Sequence, residues 1–278
     1  MGQVTPHPDV LARQARRWSL EIGDPVEPGQ TAQVAPARGR EFGDVVLKVA
    51  RQHAEGRDEA AGLREWDGDG AVRLYRAEDV DAGEDDEATT ALLLERCVPG
   101  HALSREPGAV QDEVIAGRLR RLWKEPPFAA AFRPLQEMCD QWTDECERKL
   151  ARLAGAADPG LLRDGIALFR SLPGTASREV LLCTDLHAGN VLSAQREPWL
   201  VIDPKPYVGD PAYDVLQHML NCEDRLFTDP AGLIARLAGL LGLDRDRVTQ
   251  WLFARCVVEA PDWPDLLGVA RRLGSRAA

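Results

Sequence analysis

Three features of the sequence predict an α+β chain of two lobes, a small β-rich N-terminal lobe and a larger, mainly helical C-terminal lobe. Apolar and β-branched runs separated by turns dominate up to about residue 94, apart from one helical stretch. Helical periodicity takes over from Gly108, after the turn signal Val98-Pro-Gly100. Two short apolar runs then return inside the helical half, either side of a polar loop. The lobes are expected at 1–97 and 98–278.

In the first lobe, Gly43-Asp-Val-Val-Leu-Lys-Val49 has the β-branched and apolar enrichment of a buried strand, and Ala71-Val-Arg-Leu-Tyr75 and Thr89-Thr-Ala-Leu-Leu-Leu94 read as two more. Arg57 to Trp66 reads as a helix, and the acidic stretch Asp79 to Glu87 as a solvated turn. A glycine turn is expected at Pro28-Gly-Gln-Thr-Ala32, close enough to the start that the edge of this lobe should be short. In the second lobe, helices are predicted over Gly108 to Trp123, over Leu135 to Leu153, and from Pro211 onward. The apolar runs between them are Glu179-Val-Leu-Leu-Cys183 and Pro198-Trp-Leu-Val-Ile202. Trp142, Trp199, Trp251 and Trp263 sit in apolar periodic segments and are expected to pack in the core.

Composition narrows the class of function. With 278 residues, 44% hydrophobic and 28% charged, the chain can bury a core and is too apolar to be disordered. The richest apolar run, Gly232 to Gly242, is broken by Arg236 and falls short of the ~20 residues of a membrane span. The first residues show neither a basic nor an apolar signal region, so a cytoplasmic location is expected. Cys97, Cys139, Cys146, Cys183, Cys222 and Cys256 form no C-x-x-C pair, which argues for free thiols over zinc or a disulfide framework. A net charge of -11 repels nucleic acid and anionic lipid and attracts a polycationic ligand.

The chemistry concentrates in Cys183-Thr-Asp-Leu-His-Ala-Gly-Asn190 and Ile202-Asp-Pro204. Asp185 is followed five residues later by Asn190 and thirteen residues after that by Asp203, each beside an apolar strand. Phosphoryl transfer from ATP needs an acceptor that orients the attacking hydroxyl and hard oxygen ligands that hold Mg²⁺, and an Asp, an Asn and an Asp supply them.

These residues also carry a family resemblance. Thr184-Asp-Leu-His-Ala-Gly-Asn-Val-Leu192 and Trp199-Leu-Val-Ile-Asp-Pro-Lys205 resemble the aminoglycoside phosphotransferase family, in its streptomycin 6-kinase and hydroxyurea-kinase branch. The resemblance covers roughly residues 43 to 225 and takes in Gly68-Asp-Gly-Ala-Val-Arg-Leu74, Leu92-Leu-Leu-Glu-Arg96 with Pro99-Gly100, and Gly209-Asp-Pro-Ala-Tyr-Asp214. It implies a bilobal protein-kinase-like fold, with Asp203-Pro-Lys standing where protein kinases carry D-F-G.

Position by position, the resemblance implies that Asp185 accepts or orients the proton of the substrate hydroxyl and that Asn190 and Asp203 coordinate Mg²⁺. Lys48 would neutralise the α- and β-phosphates of ATP, held by Glu59, with Glu65 the alternative partner. The adenine would meet the Glu95 carbonyl and the Cys97 amide, and Gly29 would let the backbone approach phosphate. His187 is expected to stabilise the loop, Asp210 and Asp214 to cap a helix and support the catalytic loop, and Lys205 to meet phosphate or solvent. Asp144, Glu147, Glu223, Asp224, Glu259 and Asp262 are the acidic candidates for a cationic substrate.

The expected activity is therefore ATP-dependent O-phosphorylation of an aminoglycoside, streptomycin at its 6-hydroxyl, giving antibiotic resistance. The alternatives are a kinase of hydroxyurea or a pathway intermediate, and a nucleotide-binding pseudokinase acting as an interaction module. Intact Lys48, Asp185, Asn190 and Asp203 speak against the last.

Overall fold

A computed structural model describes residues 8–24, 32–51, 56–80, 89–126, 132–153, 155 and 158–277. Its strands are β1 Glu21–Ile22, β2 Ala32–Gly39, β3 Gly43–Arg51, β4 Leu74–Val80, β5 Thr89–Glu95, β6 Val180–Leu182, β7 Val191–Ser193, β8 Trp199–Val201 and β9 Tyr207–Gly209. The helices begin with α1 Pro8–Arg17, α2 Glu59–Trp66, α3 Gly108–Leu122, α4 Leu135–Lys149 and α5 Pro159–Ser171. They continue with α6 Pro211–Asp214, α7 Leu216–Leu220, α8 Glu223–Thr228, α9 Pro230–Leu241, α10 Arg245–Glu259 and α11 Leu266–Ala277. Among the described residues, no helix is long and apolar enough to cross a membrane.

The chain divides into two compact units, Met1–Leu103 with Val191–Lys205, and Ser104–Asn190 with Pro206–Ala278. The boundary expected after residue 97 thus falls after Leu103, and the β7–β8 hairpin rejoins the first unit. Main-chain bonds explain the return: Gly100 N donates to Ser193 O at 3.0 Å, Ser193 N to His101 O at 2.9 Å, and Val72 N to Val201 O at 3.0 Å.

In the first unit an antiparallel sheet runs in the order β1-β2-β3-β5-β4. Strand alternation sends Val45, Leu47 and Val49 to one face, where they pack with Val10, Leu11, Ala15 and Trp18 of α1 and its following turn. Lys48 projects from the opposite face. The predicted strand at 71–75 is displaced, since β4 starts at Leu74 and runs through Val80 into the acidic stretch, while Ala71 bridges to Val201. Asp79 is a strand residue whose carboxylate accepts from Thr90 Oγ1 at 3.0 Å. Neither α1 nor β2 stands out in the sequence. Ala32-Gln-Val-Ala-Pro-Ala-Arg-Gly39 has weak strand preference, and its extension follows from eight-residue pairing with β3. The lobe edge expected to be short carries α1, tied to β4 where Trp18 Nε1 donates to Glu78 Oε2 at 3.0 Å.

The second unit is built around α10, which is buried from Val248 to Val258 except at half-buried Gln250. Against it lies α5, and a Cβ built on Gly165 would fall 2.5 Å from Val257 Cγ2, so the two helices approach as closely as a residue without a side chain allows. Trp251 packs edge-on to Phe169 and Tyr213, with centroids 5.8 and 5.1 Å away, and Trp142 stacks on Phe169 at 6.5 Å. Trp263 meets Phe227 edge-on, and Trp199 is half-buried. The two apolar runs expected as one β-rich island enter different sheets: β6 pairs with β9, and β8 with β7. All six cysteines are free thiols, four of them buried.

Candidate active site

In the first unit, the β3 alternation and the first turn of α2 bring Lys48 and Glu59 together. Lys48 Nζ lies 2.8 Å from both Glu59 carboxylate oxygens and 2.6 Å from Asp203 Oδ1. The choice between Glu59 and Glu65 thus falls to Glu59, which is buried, as is Lys48. Burial works against the ammonium charge, but Glu59 and Asp203 outweigh it and hold the Lys48 pKa above the ordinary lysine value. Asp203 follows β8 with a φ of 52°, a left-handed conformation uncommon for a residue with a side chain, and its carboxylate is 43% exposed. One of its oxygens accepts from Lys48, so the group is oriented while part of it faces outward.

The second unit holds Asp185 and Asn190 on the loop between β6 and the chain's return to β7. Thr184 has a φ of 50°, and Asp185 N closes a tight turn onto Cys183 O at 2.7 Å. Asn190 Nδ2 donates to Asp185 O at 3.0 Å. Because the amide nitrogen is engaged inside the loop, the amide oxygen is the end left to meet a ligand. His187 Nδ1 accepts from Gly189 N at 3.1 Å, the loop-stabilising contact expected of it.

The strained turn has a buried anchor. The Asp214 carboxylate accepts from Thr184 N at 2.6 Å, from Cys183 N at 3.1 Å and from Trp123 Nε1 at 2.9 Å. Burial pushes its pKa up to about 6 in spite of these three donors. Asp210 caps α6 by accepting from Ala212 N at 2.9 Å, and its other oxygen takes Arg247 Nε at 2.6 Å and Trp251 Nε1 at 2.8 Å. Trp123 was not visible as a site residue in the sequence, because its partner lies 91 positions away.

Glu95 ends β5 in the first unit, with Cys97 in the connector that follows. Burial, then the Glu95 carboxylate, pushes the Cys97 thiol up to about 11, so it stays protonated at neutral pH. Gly29 lies outside the described residues.

The six acidic substrate candidates all belong to the second unit, and among the described residues no three of them come within metal-ligand reach of one another. Four are drawn into ion pairs. Arg170 Nη2 lies 2.8 Å from Asp144 and 3.6 Å from Glu147; Asp262 meets Lys149 and Arg152 at 2.5 Å each; Glu259 pairs with Arg255. Glu223 and Asp224 are exposed in the first turn of α8. Asp112, His218 and Cys222 of this unit do come within metal-ligand reach of one another. The Asp112 carboxylate is nevertheless occupied by Arg225 Nη1 and Arg236 Nε at 2.7 Å each and by His218 at 3.0 Å, and two guanidinium groups oppose a cation there.

Residues 17–266 match the family model described as aminoglycoside/hydroxyurea antibiotic resistance kinase. The chain belongs to this family. Among relatives of the kinase, a hydroxyurea phosphotransferase of Kitasatospora aureofaciens is 35% identical over 260 residues, covering 90% of this chain and 71% of the relative. A streptomycin 6-kinase of Streptomyces glaucescens is 32% identical over 264 residues, covering 91% and 81%, and one of Streptomyces griseus is 34% identical over 259 residues, covering 89% and 80%. The fold of the kinase is shared with aminoglycoside phosphotransferase APH(4)-Ia in complex with ADP and hygromycin B, at a TM-score of 0.57 and 14% identity over 97% of this chain and 98% of that one. Choline kinase from Cryptosporidium parvum aligns at 0.58 and 12% identity, over 98% and 93%. The bilobal protein-kinase-like fold and the phosphotransferase class with a hydroxyl acceptor both stand on these similarities.

Proposed function

We propose that this kinase transfers the γ-phosphoryl group of ATP to the 6-hydroxyl of streptomycin. The observation that carries the phosphate-donor half is the buried Lys48 ammonium, held charged between Glu59 and Asp203 and so suited to neutralise phosphate oxygens. The acceptor half is supported by the two streptomycin 6-kinases among its relatives.

Asp185 orients the acceptor hydroxyl and takes its proton as the new O–P bond forms and the bond from the γ-phosphorus to ADP breaks. The Asn190 amide oxygen and the outward part of the Asp203 carboxylate are hard donors of the kind Mg²⁺ takes, so they are the residues that would hold it. Bound there, the metal would neutralise charge on the β- and γ-phosphates. The Glu95 carbonyl and Cys97 amide would receive the adenine, the Cys97 thiol itself taking no part. Glu223 and Asp224 are the acidic candidates not drawn into an ion pair among the described residues, which favours them as contacts for streptomycin's guanidinium groups. A phosphate on the drug adds about two negative charges, and resistance would follow.

A second reading, phosphorylation of hydroxyurea, is favoured by the 35% identical hydroxyurea phosphotransferase. Purified protein incubated with γ-labelled ATP and, separately, streptomycin, other aminoglycosides and hydroxyurea distinguishes them. Label on streptomycin at the 6-hydroxyl is the expected product, label on hydroxyurea alone supports the second reading, and binding of ATP with transfer to none of them leaves a kinase of a pathway intermediate or a pseudokinase.

A further inference from the structure

Arg196 occupies the β7–β8 turn and uses every hydrogen-bond donor it has inside the first unit. Its Nε and Nη2 grip Glu95 Oε1 and Oε2 at 2.9 Å each. Nη1 donates to Gly68 O at 2.7 Å and to Glu197 Oε1 at 3.0 Å, and Nη2 also donates to Ala71 O at 3.0 Å. Five N–H groups thus meet five acceptors on three segments: the end of β5, the turn between α2 and β4, and the hairpin itself. Glu95 is held at its main chain too, its amide donating to Arg73 O at 2.9 Å while its carboxylate accepts from Arg73 N at 3.0 Å. The turn is shaped for this contact. Gly68 has a φ of 78°, and a Cβ there would lie 2.7 Å from Arg73 Cγ.

We propose that Arg196 is a positioning residue of the nucleotide site, holding the Glu95 end of β5 so that the main chain of Glu95 and Cys97 is presented to adenine in a fixed geometry. This inference rests on the adenine site assigned under the proposed function. Groups held in place before a ligand arrives are not ordered at the expense of its affinity, so losing the clamp weakens nucleotide binding. Asp203 is spared, because β8 keeps its own bonds, Val201 N to Gly70 O at 3.1 Å and Val72 N to Val201 O at 3.0 Å. The KM for ATP should therefore rise while kcat at saturating ATP stays close to wild type. Lysine, with three donors on a point charge and no planar fork, should restore only part of the affinity.

The test measures ADP affinity by calorimetry and steady-state kinetics on the full chain. Arg196→Ala should weaken ADP roughly tenfold, with Arg196→Lys intermediate. Glu95→Gln, a smaller change to the same clamp, gives the same readout if the alanine variant does not fold, and unchanged affinity in it would overturn the proposal. Glu78→Gln serves as the stability control, since it loosens α1 through Trp18, Gln14 and Arg17. It should lower the melting temperature without affecting ADP. Wild-type affinity in Arg196→Ala, or an equal loss in Glu78→Gln at matched stability, would overturn the role of Arg196 alone. A wild-type protein that binds no adenine nucleotide would overturn the site and the role together.

Discussion

Lys48 on β3 and Glu59 at the start of α2 form a buried ion pair in which one ammonium sits 2.8 Å from both oxygens of one carboxylate. Neither charge is close to water, so each depends on the other. Lys48→Met should leave the Glu59 carboxylate buried without its cation and lower folding stability by about 3–5 kcal/mol. Lys48→Met with Glu59→Gln should recover much of that loss without recovering activity. Urea unfolding of the two single variants and the double variant measures the coupling.

Asp185→Asn keeps the size of the side chain and removes its ability to accept a proton. Turnover should fall by roughly 10²–10⁴-fold, with ADP affinity within a factor of about two of wild type. Single-turnover transfer from labelled ATP beside calorimetric ADP binding separates the two effects, and near-normal kcat would exclude Asp185 as the base.

The raised pKa of Asp214, about 6 against an ordinary 3.8, fixes a pH dependence. Its folded form binds the proton more tightly than the unfolded chain does, so this carboxyl's contribution to stability is greatest below about pH 4. It declines as pH rises through 4 to 6 and is level above that, a change of roughly 3 kcal/mol. The stability difference between wild type and Asp214→Ala, measured by urea unfolding at several pH values, should shrink across that window. Activity should move the other way, since the ionised carboxylate is the stronger acceptor for Cys183 N, Thr184 N and Trp123 Nε1. Wild-type kcat should rise through pH 6, and Trp123→Phe should lower it by removing one of those donors.

Gly165→Ala should cost about 1–3 kcal/mol, because the new methyl would overlap Val257 where α5 meets α10. Val257→Ala in the same chain should relieve most of the cost. Thermal unfolding of the four members of the cycle gives the coupling directly.

Much of the proposed site is legible in the sequence because it is local. Asp185 and Asn190 share one loop beside β6, Asp203 ends the apolar run of β8, and Lys48 sits in a strand whose alternation puts it opposite Val45, Leu47 and Val49. The preference for Glu59 over Glu65 also follows from position in a short helix. Long-range partners are not legible. Trp123 and Asp214 stand 91 residues apart, Arg196 and Glu95 stand 101 apart, and nothing in either segment marks the other. The acidic candidates show the same blindness, since Asp144 and Glu147 meet Arg170, and Asp262 meets Lys149 and Arg152, only once the helices have packed.

Taken alone, the sequence determined the two-lobe α+β class, the strands β3 and β5, the helices α2, α3 and α4, and the Asp185, Asn190 and Asp203 pattern, because period and turn chemistry act over a few residues. The tertiary structure decided that β2 forms at all from an Ala-, Pro- and Gly-containing stretch, that β6 and β8 part company to pair with β9 and β7, and that residues 191–205 return to the first unit. In each case the deciding bonds are main-chain pairings between distant segments, whose energy depends on which strand edge lies beside them and not on the residues' own preferences.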